Sequence, residues 1–278
     1  MDDQNSLALR FQENRPHLHG VAYRMLGSLS EADDAVQEAW LRLSRADVRG
    51  VQNLGGWLTT VVARVCLDML RSRKARREHA LSDAAPDDTY AFDEEAQLAD
   101  SVGLALLVVL ERLAPAERVA FVLHDLFSMP FEEIAPIVSR SPEASRQLAS
   151  RARRRVQGGS AEPSIDLERQ REVVEAFMAA SQRSDLQALL ALLDPNVVLR
   201  DGAREVEGAS NVAGQALSFA GRARFARLAL VDGAFAVIVA PRGRLSVALR
   251  YTVRGDKIAE VEVITDPARL RQLTVAIA

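Results

Sequence analysis

Beyond Asp194-Pro195 the apolar residues of this chain change their spacing, from every third or fourth position to every second. A period of about 3.6 residues draws a stripe along a helix and a period of about 2 draws a face on a strand, so a chain with both in succession must build two kinds of domain. Upstream, Ala32, Ala35, Val36, Ala39, Trp40 and Leu43 share one helical face, and Ser30 with Asp33 is the capping pair expected at its start. A second long helix is expected after the glycines of NLGGW, from Trp57 to the basic end RSRKARR. Downstream, VVLRDG, FARLALVDG, AFAVIVAPRG, RLSVALRYTVRGD and KIAEVEVIT read as strands joined by glycine-containing turns, preceded by two helices between Asp166 and Leu193. GASNVAGQALSFAGR is a candidate helix among them. Helices followed by hairpin-linked strands imply an α+β domain with a curved antiparallel sheet.

The 278 residues suit about two domains. Residues 78–93, EHALSDAAPDDTYAFD, have no helical period and read as a linker. Helical spacing resumes near Glu94 and ends near Ala114-Pro115; its apolar run, Val102 to Leu110, is too short to span a bilayer and is expected to be a buried helix. A helix from Pro115 to about Phe127 and a shorter one around FEEIAPIV follow, where Pro136 is expected to force a kink or a late start. The expected division is 1–77, a linker at 78–93, 94–158, a linker at 159–165, and 166–278. With one cysteine, Cys66, no internal disulfide is possible, and with no signal-peptide pattern the expected location is the cytoplasm.

The stretch SRSPEASRQLASRARRRV carries six arginines and one acid within a chain of net charge −3. Local balance explains the contrast: residues 1–77 and 118–158 are each +3, residues 78–117 are −9, and the remainder is neutral. The field at a contact surface is set by nearby charges, so an acidic total does not argue against nucleic acid. Ser141 suits an N-cap, Pro142 the first helical position and Glu143 the positive end of the dipole. Ser145, Leu148, Ala152 and Val156 then form an inner stripe, while Glu143, Arg146, Gln147, Ser150, Arg153 and Arg154 look outward. A short helix, a turn at Ser139-Arg140 and such a second helix make the pattern of a helix-turn-helix, whose second helix sends its first residues to base edges and later arginines to phosphates.

AYRMLGSLSEADDAVQEAWLRL, GGWLTTVVARVCLDMLRSRKARR and LAPAERVAFVLHDLFSMPFEEIAPIVSRSPEASRQLASRARRRV resemble, in that order, regions 2 and 4 of extracytoplasmic-function (ECF) sigma factors. The remainder resembles a SnoaL-like domain of the NTF2-like fold, a cone around an apolar pocket, and the combination resembles the sigma-J-like subgroup. The resemblance implies a factor that binds core RNA polymerase and directs it to promoters. Asp34, Gln37, Glu38 and Leu41 match the face that docks on the clamp helices of the largest polymerase subunit. The segment from Arg45 to Arg77 matches the part that opens and reads the -10 element, with Asn53, Trp57, Arg64, Arg71, Arg73, Lys74, Arg76 and Arg77 as candidates. For the -35 element the candidates are Ser141, Glu143, Arg146, Gln147, Ser150, Arg151, Arg153 and Arg154, with Arg146 and Gln147 foremost for bases. Two subgroup motifs differ here: HALSDAAPDD stands in place of a WLPEP-type linker motif, and DGAREV in place of a DGGGK-like one.

The C-terminal domain is read as regulatory, acting in cis on the sigma modules, with a candidate pocket for a small molecule formed by Asp201, Phe177, Phe219, Phe235 and Tyr251, and Phe225 beside them. It is not read as an enzyme, and no cofactor or metal is expected. His17 and His19 lack further ligands at metal spacing, His79 and His124 are isolated, and Cys66 sits among apolar residues. Two rival readings remain at this point: a helix-turn-helix regulator independent of polymerase, and a cyclase or isomerase using Asp201 with a DNA-binding appendage.

Overall fold

The computed structural model describes residues 2–48, 50–79, 103–157, 165–219, 226–240 and 243–277. The helical part begins with α1 (Asp2–Leu26), α2 (Leu29–Leu43) and α3 (Leu54–His79). After α4 (Leu104–Glu111) come α5 (Pro115–Phe121), continued by a π-helical turn at Val122–Leu126, then α6 (Phe131–Val138) and α7 (Pro142–Val156). Two compact units result: α1 to α3 with α5 to α7 form one, and α4 up to Val109 joins everything from α8 onward in the other.

In the first unit, the end of α1 is the meeting point. Gly27, at φ 73°, turns the chain out of the helix, and the last carbonyls of any α-helix lack partners of their own. Here two arginines supply them: Arg118 Nη1 on α5 donates to Met25 O at 2.9 Å, and Arg73 Nη1 on α3 donates to Leu26 O at 3.3 Å. Arg73 also pairs with Glu31 at the start of α2. Phe127, just past the π-helical turn, packs on α1 through the edge of His17 and the guanidinium of Arg24, with centroid distances of 5.3 Å and 5.3 Å. Leu18, Val21, Ala35, Leu58, Val62 and Leu67 are among the fully buried side chains beneath these contacts.

Several local expectations change. The N-cap of α2 is Ser28, whose hydroxyl accepts from Glu31 N, so Ser30 and Asp33 lie inside the helix and are not the capping pair. The cause is Gly27: its left-handed turn leaves Ser28 extended, at φ −138°, two residues earlier than the apolar stripe suggests. Asp33 faces Arg15 and His19 instead. Nor does Pro136 delay α6, which starts at Phe131 and runs through it. The proline is exposed, so the Glu132 carbonyl that loses its donor lies on the wet side.

The second unit has α8 (Ile165–Gln182), α9 (Leu186–Leu192), β1 (Leu193–Asp201), β2 (Arg204–Glu207), α10 (Ala209–Ser218), β3 (Ala226–Val231), β4 (Ala234–Val239), β5 (Val247–Arg254), β6 (Lys257–Ile264), α11 (Pro267–Gln272) and β7 (Val275–Ile277). The sheet order is β2-β1-β6-β5-β4-β3-β7. It is antiparallel except at β1 and β6, which run parallel, a departure from the expected all-antiparallel sheet. Hairpin β3–β4 turns on Asp232 and Gly233, both at positive φ (51° and 84°), the conformation a two-residue hairpin loop demands. Register shifts in β1 and at Thr252/Val253 of β5 bend the sheet. Across it lies α8, whose Gln170 amide donates to Tyr251 O and accepts from Phe235 N, tying β5 to β4. Gly243, at φ 71°, lets the chain pass α4, where a Cβ would stand 3.1 Å from that of Leu107.

Two consequences are measurable. Replacing Arg118 by Met would leave the Met25 carbonyl unpaired in the interior, and a urea titration should show a loss of about 1–3 kcal/mol. The Cys66 thiol is fully buried, which pushes its pKa up to about 12. A disulfide reagent at pH near 8 should therefore leave Cys66 unmodified in the folded chain and titrate one thiol once the chain is unfolded.

Candidate functional site

Two serines set the turn that presents α7. Ser139 closes α6 in the left-handed conformation, at φ 58°. Ser141 caps α7 as expected: Ala144 N–H donates to its Oγ at 3.2 Å, and Ser145 Oγ donates to its carbonyl at 2.9 Å. The Glu143 carboxyl is held below the ordinary carboxylate range, first by its own backbone N–H, then by the Ser141 hydroxyl and the nearby charge of Arg146. Ser145, Ala149, Ala152 and Val156 point inward. Glu143, Arg146, Gln147, Arg151 and Arg154 are exposed, as is Ser141, and Ser150 is half-buried. Arg146 lies 5.2 Å over the Phe131 ring, so the first base-contact candidate is steadied by α6.

Arg153 has a different position from its neighbours. Its Nε and Nη2 donate to Asp125 Oδ1 at 2.8 and 2.5 Å, bracing α7 against the π-helical turn. His124 in the same turn is also occupied, with Nδ1 3.0 Å from Met129 O and its ring stacked on Phe131 at 4.0 Å.

Around α3, Asn53 caps the helix through Oδ1, which accepts from Gly56 N at 2.9 Å. A Cβ at Gly56 would stand 2.8 Å from Asn53 Nδ2, so glycine permits this close approach. Trp57 is half-buried beside it, and Arg64, Arg71, Lys74 and Arg76 are exposed along α3. Arg73 is turned to the end of α1, and the side chain of Arg77 lies outside the described residues. On α2, Asp34, Gln37 and Leu41 are exposed on the side away from Ala32, Ala35 and Ala39. Glu38 joins them, accepting from Arg42 Nε at 2.8 Å.

A cavity of about 300 Å³ opens in the second unit between α8, α10 and the sheet. Phe177, Phe219, Tyr251 and Asp201 line it, as the sequence suggested. Phe235 does not: it lies nearer the start of β4 than the lining residues Val237 and Val239, under the guanidinium of Arg171 at 5.8 Å. Phe225 lies outside the described residues. The valines and leucines that complete the wall, such as Val237, Leu249, Val261 and Val263, carry no signal separating them from ordinary core. Among the described residues no group of three or more His, Cys, Asp or Glu is placed to hold a metal ion. Nor is any described helix long and apolar enough to cross a membrane.

The Sigma-70 region 2 family model matches residues 10–76, and the Sigma-70 region 4 model matches residues 103–156. Similarity also extends over the whole chain: a probable ECF RNA polymerase sigma factor, SigI of Mycobacterium tuberculosis, is 35% identical over 98% of each chain. This chain belongs to the ECF sigma factors. A second ECF relative, SigJ of the same organism, is 44% identical over 67% of this chain and 62% of its own. The crystal structure of that SigJ aligns over 94% of this chain and 97% of its own at 33% identity, with a TM-score of 0.47. An NTF2-like protein from Cytophaga hutchinsonii aligns over 36% of this chain and 93% of its own at 15% identity, with a TM-score of 0.27. The Sigma-70 region 4 match begins at residue 103, just ahead of α4, so this helix lies within the matched region while grouping, up to Val109, with the C-terminal unit.

If Arg153 is a brace and Gln147 a free reader, their partners' loss should separate in a urea titration. Asp125→Ala is expected to cost about 1 kcal/mol or more, whereas Gln147→Ala should stay within about 0.5 kcal/mol of the parent.

Proposed function

We propose that this ECF sigma factor binds core RNA polymerase through the exposed face of α2 and reads promoter DNA with α3 and α7. The observation that carries the reading is the face of α7: Glu143, Arg146 and Gln147 stand exposed in its first two turns, behind a turn fixed by Ser139 and Ser141. That is where a recognition helix needs side chains able to reach base edges, and Arg151 and Arg154 further along suit phosphates. In α2, Asp34, Gln37, Glu38 and Leu41 offer two carboxylates, an amide and a 39% exposed leucine on one surface, which suits a basic helical partner such as the clamp helices of the largest subunit. Arg64, Arg71, Lys74 and Arg76 suit the backbone of the -10 region, and Asn53 acts there as the cap that orders the start of α3.

The C-terminal domain is assigned a regulatory role in cis, with its cavity as the place where a small molecule acts. Its tether gives it a high effective concentration beside the sigma modules, so weak differential contacts suffice to bias them. The polymerase-independent regulator has no use for the α2 face, and an enzyme has no use for either DNA-binding face.

Transcription by purified core polymerase from a template library tests this, comparing the full chain with one ending near Glu162. Promoter-specific transcripts are expected from the full chain, and the ratio between the two chains gives the sign of the tail's effect. Arg146→Ala with Gln147→Ala should lower initiation roughly tenfold or more while leaving polymerase binding intact. No initiation, with both chains folded and the core active with another sigma factor, would sink the reading.

A further inference from the structure

The cavity of the C-terminal unit has a composition that selects among ligands. Thirteen of the eighteen described lining residues are apolar, and none of these eighteen is Lys, Arg or His. A carboxylate or phosphate entering it would be stripped of water with no described cation to receive it, a cost of several kcal/mol at the least. Aromatic surface is offered by Phe177 and Tyr251, which meet edge to face at 5.7 Å, and by Phe219, 47% exposed where the cavity opens.

The polar groups are few and mostly uncommitted. The Ser181 hydroxyl is used up, donating to Phe177 O at 2.9 Å. Tyr251 is only 6% exposed; its backbone carbonyl accepts from Gln170, and its phenol makes no hydrogen bond with a described residue. Its phenol is raised above the ordinary tyrosine range by burial alone, so it stands as a neutral O–H donor at any physiological pH. The phenol oxygen is not among the fully buried atoms left without a partner, so it reaches the cavity, where an acceptor can complete it. Asp201, the one acid among the described lining residues, makes no ion pair or hydrogen bond through its side chain with any described residue.

From this wall we infer that the cavity binds a neutral, ring-based apolar molecule whose carbonyl or equivalent oxygen accepts from Tyr251, with room for a hydroxyl or amine directed to Asp201. An anionic molecule of the same skeleton meets no cation among the described lining residues. The inference deepens the regulatory assignment of this domain and rests on it for its biological consequence, while the chemistry of the wall stands independently.

Prodan, a neutral naphthalene ketone whose emission shifts to the blue in apolar surroundings, and anilinonaphthalene sulfonate, an anionic naphthalene, are the probes. Each is titrated with the full chain without polymerase. Saturable one-to-one Prodan binding with a blue shift is expected, with the sulfonate about tenfold weaker or worse. Tyr251→Phe should weaken Prodan roughly fivefold, the loss of one hydrogen bond. Ala216→Phe, which fills the cavity, should abolish binding; Val263→Phe does the same from the opposite wall should the first variant not fold. Absence of saturable Prodan binding, equal or tighter binding of the sulfonate, or indifference to Tyr251→Phe each overturns the inference. Transcription with and without Prodan separates the two levels. If Prodan binds as described but transcription is unaltered by it and by removal of the tail, the ligand class holds and the regulatory assignment fails. If the tail alters transcription and Prodan does not bind, the reverse is true.

Discussion

The first unit depends on how the end of α1 is satisfied. A helix terminating in the interior leaves carbonyl groups that neither water nor its own turns can reach, and an arginine drawn inside needs acceptors for its charge. Arg118 and the Met25 carbonyl answer each other's requirement, and Arg73 does the same for Leu26 from another helix. Both guanidinium groups also lie at the negative end of the α1 dipole, which favours them. Three segments far apart in sequence are thereby fixed to a single point. The exposed basic surface of α3 and the helix-turn-helix are built outward from it, the latter through the Phe127 contact with α1 and the Asp125–Arg153 brace.

This arrangement divides the arginines by task. Not every cation of these basic helices is left for a partner: Arg73 and Arg153 serve the fold. What remains exposed is narrower than the composition suggests, because the inward residues hold the helices in place. The position of α4 adds a further division, since a helix within the region 4 match lends its apolar side to the C-terminal unit, where Leu107 meets Gly243. A chain cut after region 4 therefore loses a covering for this helix as well as a domain.

Much of the fold was legible because its signals are local. Ser141, Pro142 and Glu143 specify a helix start by themselves, and the alternation in FARLALVDG and KIAEVEVIT specifies strands. The misses have non-local causes. Ser30 looked like a cap because the stripe began there, but Gly27 had already turned the chain. β2 and β7, of four and three residues, are too short for a period and exist because longer strands template them. The parallel pairing of β1 with β6 joins segments about sixty residues apart, and no turn between them encodes it. Within the candidate site, outward faces followed from spacing, whereas the engagement of Arg73 and Arg153 and the absence of Phe235 from the cavity depend on partners that spacing cannot name.

The sheet ends in its two shortest strands. On one side β2, with sequence REVE, is mostly exposed, and Glu205 is held by Arg200 of β1, which also reaches Glu260 of β6. On the other, β7 is clasped at its start, where Asp232 N donates to Thr274 O and Thr274 N to Asp232 Oδ1, each at 2.8 Å. A charged edge and a truncated one give an incoming strand little backbone to copy. Both margins therefore disfavour strand addition, the usual hazard of an open sheet, and the apolar strands β4 and β5 lie inside them.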